Sequence, residues 1–409
     1  MRQSKLFTRT YKEAPKDESS YNAQTLMRAG FIDKLAAGVY TFLPLGLRVH
    51  NKICKIIREE MDAIGGQELL MPALTPKEVW ETTDRWAHFD ALFKLTGGDD
   101  KEYALGATHE EVVTPTVAKQ VLSYKDLSLS VYQIQTKFRN EKRAKAGLMR
   151  GREFSMKDMY SFHPNEESLN EYYKIVQKAY FKIFERLGLI DQTYLTYASG
   201  GAFSKYSHEF QTLSEAGEDT IHICQQCKIA INQEIIEESK GCPHCASTDL
   251  QPEKAIEVGN IFKLGTKFSA PFNFKFRDAE GNEQPVIMGC YGMGPSRVMG
   301  TIVELAHDER GIIWPEAIAP FQVYLLALNQ DKEADKLYEA LKTAGVEVLY
   351  NDLDLGMGEK MADADLIGCP YRILISPKSL AAGGAEIKRR NSTESVIVDL
   401  KKVVDYLKK

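Results

Sequence analysis

The feature that most constrains the fold is a pair of strand-like segments joined by a basic loop. Residues 130–138 (SVYQIQTKF) and 153–162 (EFSMKDMYSF) are rich in the β-branched and aromatic residues that favour strands. The loop between them, 139–152, contains glycine, and the second segment is predicted to return antiparallel to the first. The chain is therefore expected to build an antiparallel sheet around this pair.

Helical periodicity marks the elements on either side of this pair. Residues 47–64 place apolar side chains at helical spacing, and Gly65 and Gly66 are predicted to cap that helix before a strand that runs to Pro72. A second helix is predicted over 166–188. Further strands are predicted at 260–264, 272–277 and 285–291, and a helix near Pro295.

The pattern changes after residues 314–320, which include two prolines and are predicted to form a linker. Beyond them, apolar runs alternate with helical stretches, a pattern typical of a compact α/β domain with a mostly buried sheet. The 409 residues are too many for one ordinary domain and suit two or three.

Composition excludes several classes of protein. The chain is 44% hydrophobic and 27% charged, which excludes a largely disordered or collagen-like protein. Neither a run of about eighteen apolar residues nor an apolar signal region occurs, so we expect no membrane partner and a cytoplasmic location. The formal net charge of −5 is compatible with a nucleic-acid partner only through a local basic patch.

Residues 137–154 (KFRNEKRAKAGLMRGREF) form the segment richest in chemistry. Charge runs usually form a solvated face. Here, Arg139 and Glu141 alternate on a predicted strand and are expected to point to one face of the sheet. An arginine and a carboxylate projecting together could clamp a phosphate and accept a hydrogen bond from an exocyclic amine. The loop beyond them could hold a polyphosphate or a nucleic-acid end.

Two shorter motifs are ambiguous by themselves. GCYGMGPSR at 289–297 has glycines that allow close backbone approach, with Arg297 projecting from the first turn of a helix. It could equally be a plain strand-to-helix turn. GATHEE at 106–111 could be only a capping box formed by Thr108 and Glu111.

The seven cysteines include two CxxC pairs, CQQC and CPHC, separated by fourteen residues. The odd total suits a reducing compartment better than a disulfide framework. The spacing is close to that of a zinc ribbon, in which four thiolates hold one Zn²⁺ and staple a segment that has no core of its own. The alternative is a remnant insert with paired free thiols. The predicted ligands are Cys224, Cys227, Cys242 and Cys245.

Taken in order, these motifs resemble the class II aminoacyl-tRNA synthetases, and within them the bacterial-type prolyl-tRNA synthetases. Residues 47–72 are similar to motif 1 of the class, FRNE with REF to motif 2, and GMGPSR to motif 3. Signatures of the narrower family are similar to THEE, GREFSMKDMYSF, SHEF, GEDTI, EVGNIFKLGTKFS, GCYGMG and DERGIIWPEAIAPFQV. The resemblance covers nearly the whole chain apart from the segment with the cysteine pairs.

The resemblance implies an α+β fold. Its parts are a six-stranded antiparallel catalytic sheet flanked by helices and a C-terminal α/β anticodon-binding domain, to which the cysteine spacing adds a small zinc-ribbon-like insert. The implied reaction has two steps: L-proline and ATP form prolyl-adenylate, and the prolyl group then moves to tRNA(Pro). Mg²⁺ is expected with the nucleotide. The expected domain bounds are 1–220 and 255–314 for the catalytic domain, 221–254 for the insert, 315–320 for the linker and 321–409 for the anticodon-binding domain.

The resemblance also implies roles for residues around the nucleotide. Arg139 would bridge the α-phosphate and the proline carboxylate, and with Arg297 it forms the implied catalytic pair. Glu141 would accept from the adenine amine and Phe154 would stack on the ring, while Arg150 and Arg297 would hold the outer phosphates. The full nucleotide set is Arg139, Glu141, Arg150, Phe154, Gln211 and Arg297.

For proline, the resemblance implies that Thr108 and Glu110 receive the secondary amine. Cys290 is expected to be a pocket wall rather than a nucleophile, because no basic residue adjoins it in sequence; the plainer alternative is a small buried hydrophobe. His109 and His208 are expected to be structural. The full proline set is Thr108, Glu110, Arg139, Glu209, Cys290 and Gly292.

Three further expectations concern assembly and RNA. A homodimer is implied, because 47–72 is an interface in this class, although the segment could serve only its own core. AEIKRR at 385–390 is similar to an anticodon-domain strand, which implicates Glu386, Lys388 and Arg389, whereas NDLDLGMG at 351–358 departs from the family's DDRxERPG. About 35 residues between GEDTI and EVGNIF are too few for an editing domain, so no hydrolysis of mischarged alanyl-tRNA in cis is expected.

Two rival functions are weighed against the catalytic one. A synthetase-like binding protein without catalysis would tend to lose Arg139, Glu141 and Arg297, and all three are present. A zinc-ribbon RNA-binding protein would leave the nucleotide-type motifs unexplained. The sequence therefore favours an active ligase.

Overall fold

The computed structural model describes residues 1–201 and 203–408; Ala202 and Lys409, the last residue of the expected anticodon-binding domain, lie outside that description. The chain divides into two compact units. Unit 1 comprises Met1–Leu35, Tyr40–Lys52 and Ile302–Lys409, and unit 2 comprises Ala36–Val39 and Ile53–Thr301.

The helices vary from one turn to more than five. In chain order they are α1 Tyr21–Arg28, α2 Pro44–Ala63, α3 Lys77–Thr82, α4 Arg85–His88, α5 Glu110–Ala118, α6 Glu166–Arg186, α7 Pro295–Leu305, α8 Asp331–Thr343, α9 Met357–Ile367, α10 Pro377–Ala381 and α11 Val403–Leu407. Within the described part of the chain, none is long and apolar enough to cross a bilayer.

The strands are more numerous than the sequence predicted. In chain order they are β1 Ile32–Ala36, β2 Val39–Phe42, β3 Gly66–Glu68, β4 Leu74–Pro76, β5 Phe93–Thr96, β6 Glu102–Leu105, β7 Leu129–Phe138, β8 Glu153–His163, β9 Thr193–Ser199, β10 Tyr206–Leu213, β11 Asp219–Cys224, β12 Ala230–Asn232, β13 Leu250–Gly265, β14 Lys275–Arg277, β15 Glu283–Pro285, β16 Ile287–Met293, β17 His307–Asp308, β18 Gly311–Ile312, β19 Val323–Ala327, β20 Val348–Asn351, β21 Tyr371–Ile375, β22 Ala385–Arg389 and β23 Ser395–Val398.

A nine-stranded sheet organises unit 2, in the order β10-β9-β12-β11-β13-β16-β8-β7-β3. The predicted pairing of β7 with β8 is confirmed: it is antiparallel and runs from Leu129 opposite Phe162 to Phe138 opposite Glu153. The expectation of six strands was too low, since the sheet also takes up the strands around the cysteine pairs. The pairings β12–β9 and β3–β7 are parallel, and the others are antiparallel.

The long helix α6 covers the sheet with the apolar face that its sequence predicts. Leu169, Tyr173, Val176, Tyr180 and Ile183 are buried at helical spacing. The helix begins where Asn165 accepts a hydrogen bond from the Ser168 amide at 2.9 Å, a standard N-cap.

Helix α2 is confirmed but begins three residues earlier than predicted and ends at Ala63, and the strand after it is shorter than predicted. Gly65 ends the helix at φ +83°, a left-handed conformation that glycine adopts without strain. The predicted strand to Pro72 shortens to β3, which ends at Glu68. Beyond it, the Gln133 side chain accepts from the Met71 amide at 3.0 Å and Gln135 donates to the Met71 carbonyl. Side-chain amides thus replace the strand ladder there.

Unit 1 contains a five-stranded sheet in the order β20-β19-β21-β22-β23. The first three strands run parallel, and every residue of β19 is buried, which confirms the prediction of a buried α/β sheet. The first residues of the chain lie along the β20 edge. The Met1 nitrogen donates to the Val348 carbonyl at 2.6 Å, and Arg2 forms an isolated parallel β-bridge with Tyr350. Sequence analysis had left this segment unassigned.

Candidate active site

A cavity of about 270 Å³ lies in unit 2 beside the loop that joins β7 to β8. It brings together four residues of the predicted nucleotide set from three places in the sequence: Arg139 and Glu141, then Arg150, then Arg297. Three carboxylates line the same cavity, Glu218 and Asp219 of the GEDTI signature and Glu257 of EVGNIF, and none of them was predicted to have a role of its own.

The position of Arg139 and Glu141 in the fold differs from the prediction. They do not alternate on a strand, because β7 ends at Phe138. In the loop that follows, the Arg139 amide donates to the Arg152 carbonyl at 2.8 Å and the Glu141 amide donates to the Arg139 carbonyl at 2.7 Å. This tight turn, rather than strand alternation, directs both side chains into one cavity.

The Arg139 guanidinium has unused capacity to bind an anion. It lies over the Phe154 ring, 5.3 Å from the centroid, and its buried Nε has no hydrogen-bond partner among the described residues. Burial and the positive charge of Arg297 lower the pKa of Arg139, so its charge is not fully compensated by the protein. A half-buried cation with a buried, unpaired donor favours an anionic ligand.

The other two arginines are held by carboxylates at the cavity wall. Arg297 donates to the Met149 carbonyl at 2.8 Å and to Glu257 at 3.0 Å. Arg150 is paired with Glu141 at 2.9 Å and with Glu218 at 3.1 Å. An anion that enters the cavity would have to compete with these carboxylates for the two arginines, or would have to bind together with a cation.

The start of α5 places Thr108 and Glu110 against each other in a buried site. Thr108 Oγ1 donates to Glu110 Oε2 at 2.5 Å, and Cys290 Sγ lies 3.4 Å from Glu110 Oε1. The capping box suggested for Thr108 and Glu111 does not form, because α5 begins at Glu110 and its N-cap, His109, makes no side-chain cap bond. Burial and the charge of Glu110 raise the pKa of Cys290, which agrees with a wall rather than a nucleophile.

Sequence analysis missed the partner of this carboxylate, Arg85 of α4. Its Nη1 lies 2.8 Å from Glu111 and 3.3 Å from Glu110, and all three side chains are buried. Burial raises the pKa of Glu111 to about 7, against the opposing effect of Arg85. The two glutamates belong to the THEE motif and could be identified from the sequence, whereas no local sequence pattern identifies Arg85 as their partner.

A second buried carboxylate, Glu209 of β10, lies in a network of amides. Gln211 and Asn232 donate to its Oε2 at 2.8 and 3.1 Å, and Asn260 donates to Oε1 at 3.3 Å. Burial and the charge of Glu257 raise the pKa of Glu209 to about 8. Glu209 and Gln211 were predicted; Asn232 of β12 and Asn260 of β13 were not.

A buried ion pair supports the floor of the site. Lys137 Nζ lies 2.9 Å from Asp158 Oδ2 and contacts His109 Nδ1, and both charged side chains are almost completely buried. Tyr160 and Gln133 also donate to Asp158, at 3.0 Å each. The sequence had placed Lys137 in the basic run, yet it points into the core from β7.

The two histidines are structural, as expected. His109 contacts the Pro72 carbonyl through Nε2 at 3.0 Å, and His208 contacts the Tyr173 hydroxyl at 2.9 Å. Burial lowers the pKa of each to about 4. At Gly292 an added Cβ would meet only the Asn260 carbonyl, at 3.8 Å, so the glycine leaves open space.

The four cysteines of the CxxC pairs converge. All four sulfurs lie within 4.8 Å of one another, with Cys224 and Cys245 3.5 Å apart and Cys227 and Cys242 3.4 Å apart. Sulfurs held about 2.3 Å from a tetrahedral zinc ion lie about 3.8 Å apart, so this donor set fits Zn²⁺.

The predicted anticodon residues share strand β22 of unit 1. Glu386 and Lys388 are half-buried on one face, and Arg389 donates to the Tyr371 hydroxyl at 2.6 Å. The departing segment 351–358 is contacted by the start of the chain, where Ser4 donates to Asp352 through its amide and its hydroxyl.

Comparisons with known families agree with this arrangement. Residues 93–306 match the core domain of the class II tRNA synthetases (G, H, P, S and T), and residues 322–409 match the anticodon binding domain. The fold is also that of the Giardia lamblia prolyl-tRNA synthetase solved with prolyl-adenylate, with a TM-score of 0.79 at 20% identity, covering 94% of this chain and 75% of that one. Fold and site therefore define a class II aminoacyl-tRNA synthetase.

Relatives of known activity narrow the class. The chain is 39% identical to the proline–tRNA ligase of Caulobacter vibrioides (strain NA1000) over 441 aligned positions, covering 100% of this chain and 99% of the relative. It is 34% identical to that of Dehalococcoides mccartyi (strain 195) over 559 positions, covering 99% and 98%. The chain belongs to the proline–tRNA ligase family.

Proposed function

We propose that this ligase charges tRNA(Pro) in two steps through prolyl-adenylate. The observation that carries the proposal is a cavity lined by three arginines and four carboxylates beside a buried carboxylate pocket, with Arg139 within electrostatic reach of acids in both, Glu141 and Glu110. In the first step a proline carboxylate oxygen attacks the α-phosphorus and pyrophosphate leaves. In the second, a terminal tRNA hydroxyl attacks the prolyl carbonyl and AMP leaves.

The first step demands no base in the site, because the attacking carboxylate is already ionised. In the second step a phosphate oxygen of the departing AMP can take the proton that the tRNA hydroxyl loses, so no strong base is needed there either. The work is positioning and charge stabilisation. Arg139 would bridge the α-phosphate and the proline carboxylate. Phe154 would face the adenine ring, and Glu141 would accept a hydrogen bond from the adenine amine. Arg150 and Arg297 would hold the outer phosphates, and Gln211 would contact the nucleotide.

Mg²⁺ fits the same cavity. Glu218 and Glu257 supply the carboxylate oxygens that Mg²⁺ prefers, beside the arginines that would hold the phosphates. When bound, the ion would neutralise charge on the phosphate oxygens.

The Thr108–Glu110 pair suits a secondary ammonium, which has two N–H donors. Thr108 Oγ1 spends its own hydrogen on Glu110 Oε2 and so keeps acceptor capacity. Glu110 Oε1 receives only the weak thiol donor of Cys290. These two oxygens would take the two N–H groups, with Cys290, Gly292 and Glu209 bounding the pocket. A primary amine would leave a third donor unpaired.

The decisive test is proline-dependent exchange of pyrophosphate into ATP. Replacing Arg139 by alanine should lower the exchange rate by about 10²-fold or more, because it removes the group that stabilises the charge at the α-phosphate. Lys142, an exposed lysine of the same loop, is the matched control, and K142A should leave exchange unchanged. Exchange that is absent in the unmodified protein, or indifferent to proline, contradicts the proposal and favours a non-catalytic binding protein.

We also propose a structural Zn²⁺ held by Cys224, Cys227, Cys242 and Cys245. Supporting it is the convergence of the four sulfurs, which all lie within 4.8 Å of one another.

No editing of alanyl-tRNA(Pro) in cis is part of the proposal. Only the short stretch with β11, β12 and the cysteines separates GEDTI from EVGNIF. The alignment with the Dehalococcoides relative spans far more positions than the 409 residues present here, so that relative has segments that this chain lacks.

Assembly and RNA binding complete the proposal. We assign the catalytic function to residues 1–220 and 255–314 and anticodon contacts to 321–409, through Glu386, Lys388 and Arg389. A homodimer through 47–72 is supported by exposed leucine side chains, among them Leu70, 75% exposed.

A further inference from the structure

Two adjacent glutamates at the start of α5 share a single cation. Glu110 and Glu111 are both fully buried, and Arg85 Nη1 lies 3.3 Å from the first and 2.8 Å from the second. Two further cations act on Glu110 from a distance: Lys137 is committed to Asp158 at 2.9 Å, and Arg139 lines the neighbouring cavity. The group of three therefore has one more carboxylate than it has cations.

Aromatic rings fix the Arg85 guanidinium in place. Its carbon lies 4.3 Å from the Phe89 ring centroid and between 5.1 and 5.6 Å from those of Phe203, Phe268 and Trp80. Its Nε and Nη2 are buried and have no hydrogen-bond partner among the described residues. The planar cation is thus held by ring faces and by two carboxylates, an arrangement that lysine cannot reproduce.

The two carboxylates are not equivalent. Glu111 also accepts from the Thr83 hydroxyl at 2.9 Å, so it is tied to α3, α4 and Arg85. Glu110 Oε2 takes the Thr108 hydroxyl and the longer contact to Arg85, which leaves Oε1 towards Cys290. Glu111 anchors Arg85, and Arg85 then fixes the orientation of the Glu110 carboxylate.

We propose that Arg85 is a positioning residue for proline: anchored by Glu111 and the aromatic rings, it orients Glu110 and leaves one uncompensated negative charge for the substrate ammonium. The inference rests on the proposed role of Glu110 and adds the group that makes that carboxylate selective for a cation. The ammonium group of bound proline then supplies the second positive charge, which balances the carboxylate that Arg85 alone leaves uncompensated.

The test measures KM for proline, KM for ATP and kcat in the exchange reaction for R85M and R85K. R85M should raise KM for proline about 10- to 100-fold, the cost of losing a charge-assisted pair beside a buried acid, while KM for ATP changes less than about twofold. R85K keeps the charge without the planar guanidinium that packs against the rings and should fall between R85M and the unmodified enzyme. K275M, which removes a surface lysine paired with Glu283, is the matched control.

A pH profile separates positioning from a merely structural role. Loss of the cation raises the pKa of Glu111 further above about 7, so R85M should recover part of its proline affinity between pH 7 and 9, whereas R85K should follow the unmodified enzyme. The charged and titratable groups around Glu110 that contribute are Arg85, Glu111, His109, Lys137, Arg139, Asp158, Tyr160 and Cys290.

Three outcomes overturn the inference: an unchanged KM for proline, equal increases in KM for proline and ATP, or a pH profile that R85M shares with R85K. If R85M does not fold, R85K alone decides, since an R85K enzyme with unchanged KM for proline contradicts the need for a planar guanidinium at this position. Absence of exchange in the unmodified protein would instead contradict the proposed function.

Discussion

At the scale of the residue, burial decides how the carboxylates of this site behave. Glu111 and Glu209 both lie out of water, and their pKa values rise to about 7 and about 8. Desolvation is the largest cause in each, and a neighbouring acid adds to it. Motif resemblance identifies Glu209, but its protonation depends on Asn232, Asn260 and Glu257, which no local pattern brings together.

Glu209 should make the unmodified protein less stable as pH rises. Its pKa is raised in the folded state, so between about 4.5 and about 8 the unfolded chain releases a proton that the folded chain keeps. E209Q, which has the shape of the protonated carboxyl, should therefore gain stability relative to the unmodified protein across that window, at about 1.4 kcal/mol per unit of pKa shift, and hold the gain above it. Thermal unfolding at pH 5, 7 and 9 measures this; a difference independent of pH contradicts it.

At the scale of the element, the cysteine cluster ties together the ends of three strands of the main sheet. Cys224 is the last residue of β11 and pairs with Leu250 at the start of β13, while Cys227 lies just before β12. Strand β12 ends at Asn232, which donates to Glu209. The sequence predicts the metal site from spacing, but only the register of β12 beside β9 connects it to the active site.

Removing the metal should therefore weaken substrate binding without abolishing exchange. Purified protein should contain about one zinc per chain. C227S should lose the metal and raise KM for proline about 5- to 10-fold, because the loosened β12 no longer holds the Asn232 hydrogen bond. C369S, a buried cysteine of unit 1, is the control and should keep both. Far less than one zinc in the unmodified protein contradicts the metal site, and an unchanged KM in metal-free C227S contradicts the link.

At the scale of the whole molecule, two units divide the work of the ligase. Unit 2 holds the cavity proposed to bind the nucleotide, and unit 1 contains the buried sheet that matches the anticodon binding domain. The alternation of apolar runs and helices beyond 321 predicted that sheet correctly, since a buried parallel strand such as β19 is apolar throughout. The contact of Met1 and Arg2 with β20 was not predictable, because the partners are more than three hundred residues apart in the chain.

The architecture predicts that proofreading is absent from this chain. Incubated with alanyl-tRNA(Pro), the enzyme should hydrolyse it no faster than buffer does, because the stretch between GEDTI and EVGNIF has only about 35 residues, too few for an editing domain. Deacylation is followed by loss of labelled alanine from the tRNA. A D. mccartyi-type ligase, which aligns over more positions, is the comparison protein. Enzyme-dependent hydrolysis would show that the proposal is wrong.

The sequence by itself determined the elements and the chemistry that depends on local spacing. The β7–β8 hairpin, helix α6, the four cysteines and the residues of the synthetase motifs all follow from patterns within a few turns of chain. Only the tertiary structure decided which side chains lose water and which charges meet. Arg85 on Glu110, and Lys137 on Asp158, join residues more than twenty positions apart. Long-range packing sets the distances between these charged groups, and the interaction energy of two charges grows steeply as water is excluded. The sequence therefore identifies residues of the site, whereas the tertiary structure determines how strongly their charges interact.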